Sequence, residues 1–393
     1  MRKKKVIIVS DFGEMNGGAS KVALETVLRF SKNTKLSVTF CAFNIDSEFE
    51  RRLLISEVEV INFGLKNHKL VNSFIFSIFN YTVFKRLRVY ISCQKTPVIL
   101  HIHTFVNLVS PSVFLLSRML NVEKVFVTAH DYFLFCPNGS YFNFRTNLCC
   151  NIKPLSVSCC LTHCGKRSFL EDLSRRAKGL VQKLVLSLSS VEILPISKIS
   201  KQILSNHIAT GRVICNPIVT MTTQLPIQNI DRSGLVYIGR LEKEKGFQWL
   251  CDVCAANSIP LQVVGLGSLY LYKDKFIKYH GWRDTTYIES ILDNSVAVVI
   301  PSLWKEPFGL VAVEAFQRGV PALSSSNVGA LGFMDKKYEY SFEVENIKSF
   351  LKVYRTLTLS QTSQVQGVVE SYKSVFYKLD ENYVSEIMYE YDK

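Results

Sequence analysis

The chain has 393 residues, more than one hydrophobic core usually serves, so we expect two domains of about 200 residues each. Hydrophobic residues make up 48% and charged residues 20%, which is typical of globular proteins and excludes a mainly disordered chain. The formal net charge of +14 indicates acidic partners, but it does not choose among nucleic acid, anionic lipid headgroups and phosphorylated small molecules.

The first apolar segments are too short or too polar for a signal peptide or a membrane span. The run from Val6 to Val9 is followed at once by Asp11, so we interpret it as a buried strand. The stretch from Leu70 to Phe84 contains Asn, Ser and Thr, and we predict a helix that does not span a membrane. Basic residues around this stretch favour either contact with anionic lipid or a solvated helix face: Lys3, Lys4, Lys5, Lys66, His68, Lys69, Lys85, Arg86 and Arg88.

Short apolar runs alternate with helical stretches along the chain, and this alternation predicts βαβ units with parallel sheets. The first half contains predicted helices at Gly17 to Phe30 and Ser110 to Leu120, and predicted strands at Lys5 to Ser10, Ser37 to Phe43, Val58 to Ile61, Val98 to His103 and Lys124 to Ala129. The second half contains predicted strands at Val191 to Ser197, Arg212 to Asn216, Gly234 to Ile238, Pro260 to Val264, Ile277 to Gly281, Val296 to Pro301 and Val320 to Ser324. Ligands bind at the carboxyl ends of such strands, so we expect a cleft between two α/β domains.

We place the first domain at 1–190 and the second at 191–370. Residues 371–393 are predicted to form a helix that packs back on the first domain. The segment from Pro217 to Ser233 is polar and lacks helical periodicity, so it is interpreted as a linker. A cysteine-rich insertion occupies about 131–168 and holds six of the eleven cysteines of the chain.

The segment from Ile300 to Ser324 carries the strongest chemical signal. A buried strand ends there, a short loop holds Glu306, and a helix that begins near Phe308 or Gly309 carries Glu314. The N–H groups at the start of this helix form a site suited to a diphosphate. The alternative is an ordinary connecting loop followed by a helix with a surface acid.

A second segment, from Tyr237 to Phe247, places two cations after a strand. Arg240 and Lys245 flank a turn that Gly246 closes. Cations at the carboxyl end of a strand can bind a pyrophosphate and stabilise the charge of a leaving group. The alternative interpretation of LEKEK is a solvated turn.

Together with further motifs, these segments resemble family 4 glycosyltransferases, which have two Rossmann-like domains in the arrangement called GT-B. The resemblance extends over nearly the whole chain. The matching motifs, in order, are GGA at Gly17 to Ala19, HIH at His101 to His103, TAHD at Thr128 to Asp131, IS at Ile196 and Ser197, NP at Asn216 and Pro217, GRLEKEKG from Gly239, VVGLGS at Val263 to Ser268, HGW at His280 to Trp282, and the pair Glu306 and Glu314.

The resemblance implies a retaining hexosyl transfer from a GDP- or UDP-linked sugar, with no metal ion or other cofactor required for catalysis. It also implies that the first domain binds the acceptor and the second binds the donor. The similar enzymes are bacterial and build lipopolysaccharide O-antigen, capsule or other exopolysaccharide on a lipid-linked oligosaccharide. We therefore expect a cytoplasmic enzyme that contacts the anionic cytoplasmic face of the inner membrane.

Site residues are carried over position by position. Arg240 and Lys245 match the diphosphate-binding pair, Glu306 matches the acid that contacts the donor sugar, and Glu314 matches the acid that holds the ribose hydroxyls. His130 matches a histidine of the first domain that reaches the sugar and the β-phosphate, and with Arg240, Lys245 and Glu306 it completes the expected catalytic set. The donor-binding set further includes Gly17, Gly18, Phe308, Gly309 and Leu310. His101 and His103 are expected to be structural or to face the acceptor.

The cysteine-rich insertion allows two interpretations. Cys136, Cys149 or Cys150, Cys160 and Cys164 could supply four thiolates to a structural zinc ion, with His163 as a substitute ligand. The spacings match no standard zinc ribbon, and the alternative is a reduced loop without metal that shapes the acceptor pocket.

Three other functions remain open at the level of the sequence. A nucleotide-sugar epimerase on the same fold would use similar donor contacts without an acceptor site. A binding protein without catalysis would keep the fold and the charge. Nucleic-acid binding would use the charge alone, but no nucleic-acid motif accompanies it, so we expect no nucleic-acid partner.

Overall fold

A parallel β-sheet lies in each half of the chain. The computed structural model describes residues 3–14, 17–64, 78–166, 168–218, 232–269, 273–334 and 336–393. Each sheet has six strands among these residues, and helices cover its faces. The predicted α/β fold class, with a parallel sheet in each of two domains, is confirmed.

The first sheet has the strand order β3-β2-β1-β4-β5-β8, and every pair in it is parallel. A separate two-stranded hairpin, β6 and β7, lies in the cysteine-rich insertion. The strands of this half are β1 (Lys4–Phe12), β2 (Leu36–Phe43), β3 (Glu59–Asn62), β4 (Val98–Ile102), β5 (Val122–Ala129), β6 (Phe142–Asn143), β7 (Leu148–Cys149) and β8 (Glu192–Pro195). Its helices are α1 (Gly18–Ser31), α2 (Ser47–Ile55), α3 (Tyr81–Ser92), α4 (Val157–Leu161), α5 (Phe169–Ser187) and α6 (Lys198–Ser205).

The second sheet has the order β11-β10-β9-β12-β13-β14 and is also parallel. Its strands are β9 (Leu235–Ile238), β10 (Leu261–Val264), β11 (Ile277–Gly281), β12 (Ala297–Ile300), β13 (Ala322–Ser325) and β14 (Ser341–Phe342). Its helices are α7 (Phe247–Ala256), α8 (Thr285–Asp293), α9 (Leu310–Gln317) and α10 (Ile347–Leu359), with 3₁₀ turns at Lys243–Lys245 and Gly329–Gly332. The central strands are apolar on both faces because helices cover both sides.

The last helix, α11 (Thr362–Asp392), joins the two halves. At 31 residues it is about 45 Å long, enough to cross both domains. Its first half packs Tyr372 and Phe376 into the core of the second sheet. Its second half packs on the first sheet, where the Tyr383 hydroxyl lies 2.7 Å from Thr26 Oγ1 and the Tyr391 hydroxyl lies 2.6 Å from His101 Nδ1.

Two predicted strands differ from the structure. The strand expected at Val191 to Ser197 exists as β8, but it pairs with β5 and belongs to the first sheet, not the second. Apolar character predicts that a strand is buried but not which sheet it joins; here α5 is the crossover of a βαβ unit from β5 to β8. We therefore propose that the first domain extends past 190 to include β8. Residues 212–216 do not form a strand; Ile214 N donates to Pro195 O (2.9 Å) beside the end of β8.

Other predicted elements fall partly outside the described residues. This applies to 70–77 of the predicted helix at Leu70 to Phe84 and to 219–231 of the predicted linker. The predicted helix at Ser110 to Leu120 is a 3₁₀ helix at Pro111–Arg118. Across the described ranges, no helix is both long enough and apolar enough to cross a membrane.

Candidate functional site

The start of α9 lies at the carboxyl edge of the second sheet, after the loop that follows β12. Gly309 begins the helix with φ +98°, and a Cβ there would lie 2.6 Å from Val328 Cγ1, so the turn requires glycine. Phe308 is 5% exposed and packs against Phe376 in the core, so only its backbone can face a ligand. The first N–H groups of α9, from Leu310 on, point out of the helix end.

Glu306 is the acid in the loop before α9. Its carboxylate lies 2.6 Å from Lys245 Nζ and accepts a hydrogen bond from Ser302 Oγ. The Glu306 side chain is 11% exposed and that of Lys245 is 18% exposed, so this ion pair is largely shielded from water. Lys245 Nζ also lies 5.3 Å from the ring centroid of Trp304, a cation–π contact. Two of the predicted catalytic residues therefore lie in direct contact.

Arg240 lies on the same edge but is more open to water. Its side chain is 60% exposed, and its guanidinium lies 3.3 Å from Glu244 Oε1. Glu244 itself is 1% exposed and also pairs with Lys166 (2.9 Å), which comes from the insertion of the first domain. The interpretation of LEKEK as a solvated turn is thus wrong for Glu244, whose carboxylate organises Arg240 and ties the two domains together.

Glu314 faces the first domain from the second turn of α9. Its Oε1 lies 2.6 Å from Nζ of Lys21, which belongs to α1, the helix entered through Gly17 and Gly18. A Cβ on Gly18 would lie 3.1 Å from Leu310 Cδ1, so this glycine loop approaches the start of α9 closely. The structure therefore brings together the predicted glycine loop and the predicted helix start across the cleft.

Three histidines form a stack at the carboxyl ends of β4 and β5. The ring centroids of His101 and His103 are 4.8 Å apart, and those of His103 and His130 are 5.3 Å apart. His103 Nδ1 lies 3.1 Å from His130 Nε2, and His101 bonds to Thr128 and Tyr391. Within the described residues, His103 Nε2 has no hydrogen-bond partner although the residue is 3% exposed.

Burial keeps these imidazoles neutral. It lowers the pKa of His101 to about 3 and that of His130 to about 4, and it lowers the pKa of His103 well below the usual range. Burial also raises the pKa of Asp131 to about 7. At neutral pH, the stack thus offers neutral N–H donors and lone pairs, which suit hydroxyl groups of a sugar better than they suit a phosphate.

A small pocket opens beside the stack. It is lined by His103, His130, Asp131 and the loop after β4. Asp11 fixes that loop, because its carboxylate accepts hydrogen bonds from Asn107 N (2.9 Å), Leu108 N and Val109 N (both 2.8 Å). The pocket adjoins the carboxyl edge of the second sheet: the Tyr132 hydroxyl donates to Lys305 O (2.8 Å) in the loop that carries Glu306.

The cysteine-rich insertion does not assemble the predicted set. One pocket is lined by Cys136, Cys150, Cys159 and Cys164, and Cys149 instead lies with its Sγ 3.5 Å from Leu303 O. Consecutive residues of a helix differ in direction by about 100°, so Cys160 of α4 points in a different direction from its neighbour Cys159, which lines the pocket. In the described part of the chain, no group of three or more His, Cys, Asp or Glu is arranged to hold a metal ion, and all eleven thiols are free.

Sequence reasoning missed several residues of the site. Lys21, Ser302 and Trp304 contact the predicted acids or Lys245, and Glu244 and Asp11 position the surrounding loops. Trp304 and Ser302 lie within the segment that carried the strongest signal, so proximity could have suggested them. Lys21 lies far away along the chain, and only the folded structure brings it to Glu314.

Part of the chain is similar to known proteins in sequence, and nearly all of it is similar to solved structures in fold. Residues 226–366 match the family described as "Glycosyl transferases group 1". An "Uncharacterized 41.2 kDa protein in cps region" of Klebsiella pneumoniae is 31% identical over 108 residues, which is 26% of this chain and 29% of that protein. A glycogen synthase of Mycobacterium tuberculosis is 36% identical over 115 residues, 25% of this chain and 27% of that protein. The chain thus spans less than a third of the length of these curated relatives.

Proteins that match a longer part of the chain are less identical to it in sequence. An "Uncharacterized 42.6 kDa protein in cps region" of K. pneumoniae is 23% identical over 274 residues, 64% of this chain and 65% of that protein. Among solved structures, sucrose-phosphate synthase from Thermosynechococcus elongatus has a TM-score of 0.68 at 16% identity, covering 99% of this chain and 98% of that one. Anabaena HepE in complex with UDP and glucose has a TM-score of 0.65 at 14% identity, covering 98% and 99%. Together these findings show the GT-B fold, and the match to the glycosyltransferase family lies in residues 226–366.

Proposed function

We propose that this GT-B glycosyltransferase is a retaining, metal-independent enzyme of the family 4 type, which moves a hexose from a nucleoside diphosphate sugar to a lipid-linked saccharide. The pathway we propose is the assembly of a bacterial surface polysaccharide, such as capsule or O-antigen, in the cytoplasm at the inner membrane. The two relatives from cps regions support this pathway. The observation that carries the proposal is the meeting of Glu306, Lys245 and Glu314 at the helix start that faces the glycine loop.

The donor site that we propose follows the carboxyl edge of the second sheet. Arg240 and Lys245 bind the diphosphate, and the first N–H groups of α9 contribute further donors. Glu314 holds the ribose hydroxyls, and Glu306 contacts the transferred sugar. A buried carboxylate accepts hydrogen bonds strongly, which gives these two acids affinity for hydroxyl groups.

Donor binding must open both ion pairs of the structure. Glu314 is engaged by Lys21, and Glu306 is engaged by Lys245. A ribose that binds Glu314 displaces Lys21, and Lys245 can turn from Glu306 toward the incoming phosphates. The glycine loop at Gly17 and Gly18 lacks side chains, so it can approach the phosphates closely.

The reaction that we propose breaks the bond between the anomeric carbon and the diphosphate oxygen. The acceptor hydroxyl attacks from the same face, and its proton passes to an oxygen of the departing diphosphate. No strong protein base is needed; positioning and stabilisation of the leaving-group charge supply the catalysis. His130 and His103, kept neutral by burial, donate to or accept from sugar hydroxyls in the adjoining pocket.

The test is a thermal-shift series with UDP, GDP, ADP, dTDP and their common sugars. UDP is the first choice because the Anabaena structure and a related E. coli structure hold UDP or a UDP sugar. We expect one nucleotide to raise the melting temperature of the wild type and to lose this effect in Glu314→Ala. The matched control is Asp293→Asn, which breaks an ion pair with Arg318 in the same domain and outside the proposed site.

Stabilisation that persists in Glu314→Ala, or that disappears equally in the control, would overturn the donor-site assignment. If no nucleotide stabilises the wild type, a role in binding or scaffolding replaces the proposed activity. Conversion of the donor sugar without release of nucleoside diphosphate would favour an epimerase instead.

A further inference from the structure

Helix α5 differs from an ordinary surface helix, because three of its polar side chains are buried. Asp172, Arg176 and Gln182 are each at most 5% exposed. Asp172 accepts a hydrogen bond from Gly165 N (2.9 Å), and Arg176 donates to Cys160 O (2.6 Å). Gln182 donates to Phe133 O (2.6 Å). These bonds fix the helix to the insertion and to the loop after β5, so the orientation of α5 is well determined.

The outer face of α5 is apolar instead. At about 100° per residue, its exposed large side chains fall within an arc of roughly 100° and so form one continuous stripe. The stripe consists of Phe169 (52% exposed), Leu170 (75%), Leu173 (49%), Leu180 (51%) and Leu184 (59%), followed by Leu188 (45%) just past the helix end. Two side chains of the neighbouring short helix α4, Val157 and Leu161, are each 77% exposed. Contiguous exposed apolar side chains of this extent mark an interaction surface.

The charge of the same region identifies the kind of partner. Residues 145–188 contain eight Lys and Arg but only two Asp and Glu. Of the basic residues, Arg145, Lys153 and Lys183 are exposed. Leucines framed by cations are the composition of helices that lie in the interface of an anionic bilayer.

We propose that the outer face of α5, with Val157 and Leu161 of α4, docks this protein on an anionic lipid bilayer. Phe169 and the leucines enter the boundary between headgroups and acyl chains, and the flanking cations contact acidic headgroups. A second copy of the chain is a poorer partner, because pairing this face with itself would bring the cations of both copies together. The surface differs from the basic stretch around Leu70 to Phe84 that the sequence suggested.

The position of α5 relates this surface to the cleft. Its inner side faces the histidine pocket, where Lys178 Nζ donates to Val106 O. Just before the helix, Lys166 reaches Glu242 (2.8 Å) and Glu244 beside the proposed donor site. Docking therefore holds the pocket close to the membrane. This placement rests on the proposed function in one respect: it explains how a lipid-linked acceptor reaches the cleft.

The experiment is vesicle flotation of the full chain with liposomes of phosphatidylcholine alone or with 30% phosphatidylglycerol. We compare the wild type with Leu180→Gln/Leu184→Gln and with the matched control Leu54→Gln/Ile55→Gln, which changes two side chains of α2 that are 61% and 76% exposed. We expect the wild type and the control to float with the anionic vesicles, and the α5 variant to lose at least tenfold in partitioning. Lys183→Gln should weaken flotation mainly at low salt.

Equal flotation of the α5 variant and the wild type, or no flotation of the wild type, would overturn the proposal. A concentration-dependent dimer that the α5 variant loses would assign the face to a second copy and would also overturn it. Thermal-shift responses to nucleotides, measured on the same variants, separate the two proposals. Flotation without nucleotide binding would contradict the proposed activity and leave the docking surface intact.

Discussion

The ion pair between Lys245 and Glu306 should couple the stability of the second domain to its activity. The two side chains are 18% and 11% exposed, and Nζ lies 2.6 Å from Oε1. A hydrogen bond between charged groups contributes about 1.5–3 kcal/mol when it is shielded, and the remaining exposure reduces this through solvent screening. We therefore expect a coupling energy of about 1–2 kcal/mol between the two positions.

A double-mutant cycle in urea measures this coupling. The variants are Glu306→Gln, Lys245→Met and the double variant, and each kcal/mol of lost stability corresponds to about 2–4 °C in melting temperature for a domain of this size. Both single variants should also reduce sugar transfer by at least a hundredfold, because each residue is proposed to contact the donor. Asp293→Asn is the matched control: it should lower stability while leaving transfer unchanged. Additive stability losses, or full activity in Glu306→Gln, would refute the reasoning.

Three further changes have defined outcomes. Lys21→Met should raise the affinity for nucleotide two- to fivefold, because it frees Glu314 from an ion pair that contributes up to about 1 kcal/mol. Calorimetry measures this affinity, and weaker binding by the variant would mean that Lys21 contacts the donor. Gly309→Ala should lower unfolding free energy by about 2 kcal/mol or more, since it adds left-handed strain to a 2.6 Å contact with Val328, and an unchanged melting temperature would contradict the turn geometry. Lowering the pH from 7 to 5 should reduce the free energy of unfolding of the wild type by about 2 kcal/mol more than that of His101→Gln, as measured by urea unfolding. Equal reductions in the two proteins would argue against a neutral buried His101.

The sign of the pH effect follows from the direction of the shift. The pKa of His101 falls from 6.5 to about 3 on folding, so between these values the unfolded chain binds a proton that the folded chain does not. Stability is therefore lost as the pH falls below about 6.5. Asp131, whose pKa is raised to about 7, acts in the opposite direction, because its folded form retains a proton that the unfolded form releases. Comparison with His101→Gln isolates the histidine from this opposing effect.

The sequence predicted the positions of the strands better than the sheet that each strand joins. Eleven of the twelve predicted strands coincide with strands of the structure and pair in one of the two parallel sheets, because buried parallel strands appear as continuous apolar runs. β8 has the same apolar character, yet its sheet is determined by the crossover through α5, which an apolar pattern does not encode. The short β14 was not predicted, since two residues carry too little periodicity to be recognised.

In the candidate site, the sequence predicted the grouping of residues that are close along the chain but not of residues that are far apart. Glu306 and Gly309 lie eight residues or fewer from the helix acid Glu314, so local spacing was enough to group them. The contact between Lys21 and Glu314, by contrast, spans 293 positions, and only the folded arrangement of the two domains brings the two side chains together. The cysteines show the limit in another way: Cys149 ends β7 with its Sγ 3.5 Å from Leu303 O, whereas the adjacent Cys150, just past the strand, lines the pocket of the insertion.

Acceptor-dependent release of nucleoside diphosphate tests the central claim most directly. The assay supplies a radiolabelled nucleoside diphosphate hexose with and without a polyprenyl-linked saccharide, and it compares the wild type with Glu306→Gln. The account predicts release of diphosphate and label in the lipid fraction only when the acceptor is present, with both lost in Glu306→Gln while nucleotide still stabilises the variant. Equal release of diphosphate with and without the acceptor, or unchanged release in Glu306→Gln, would contradict the account.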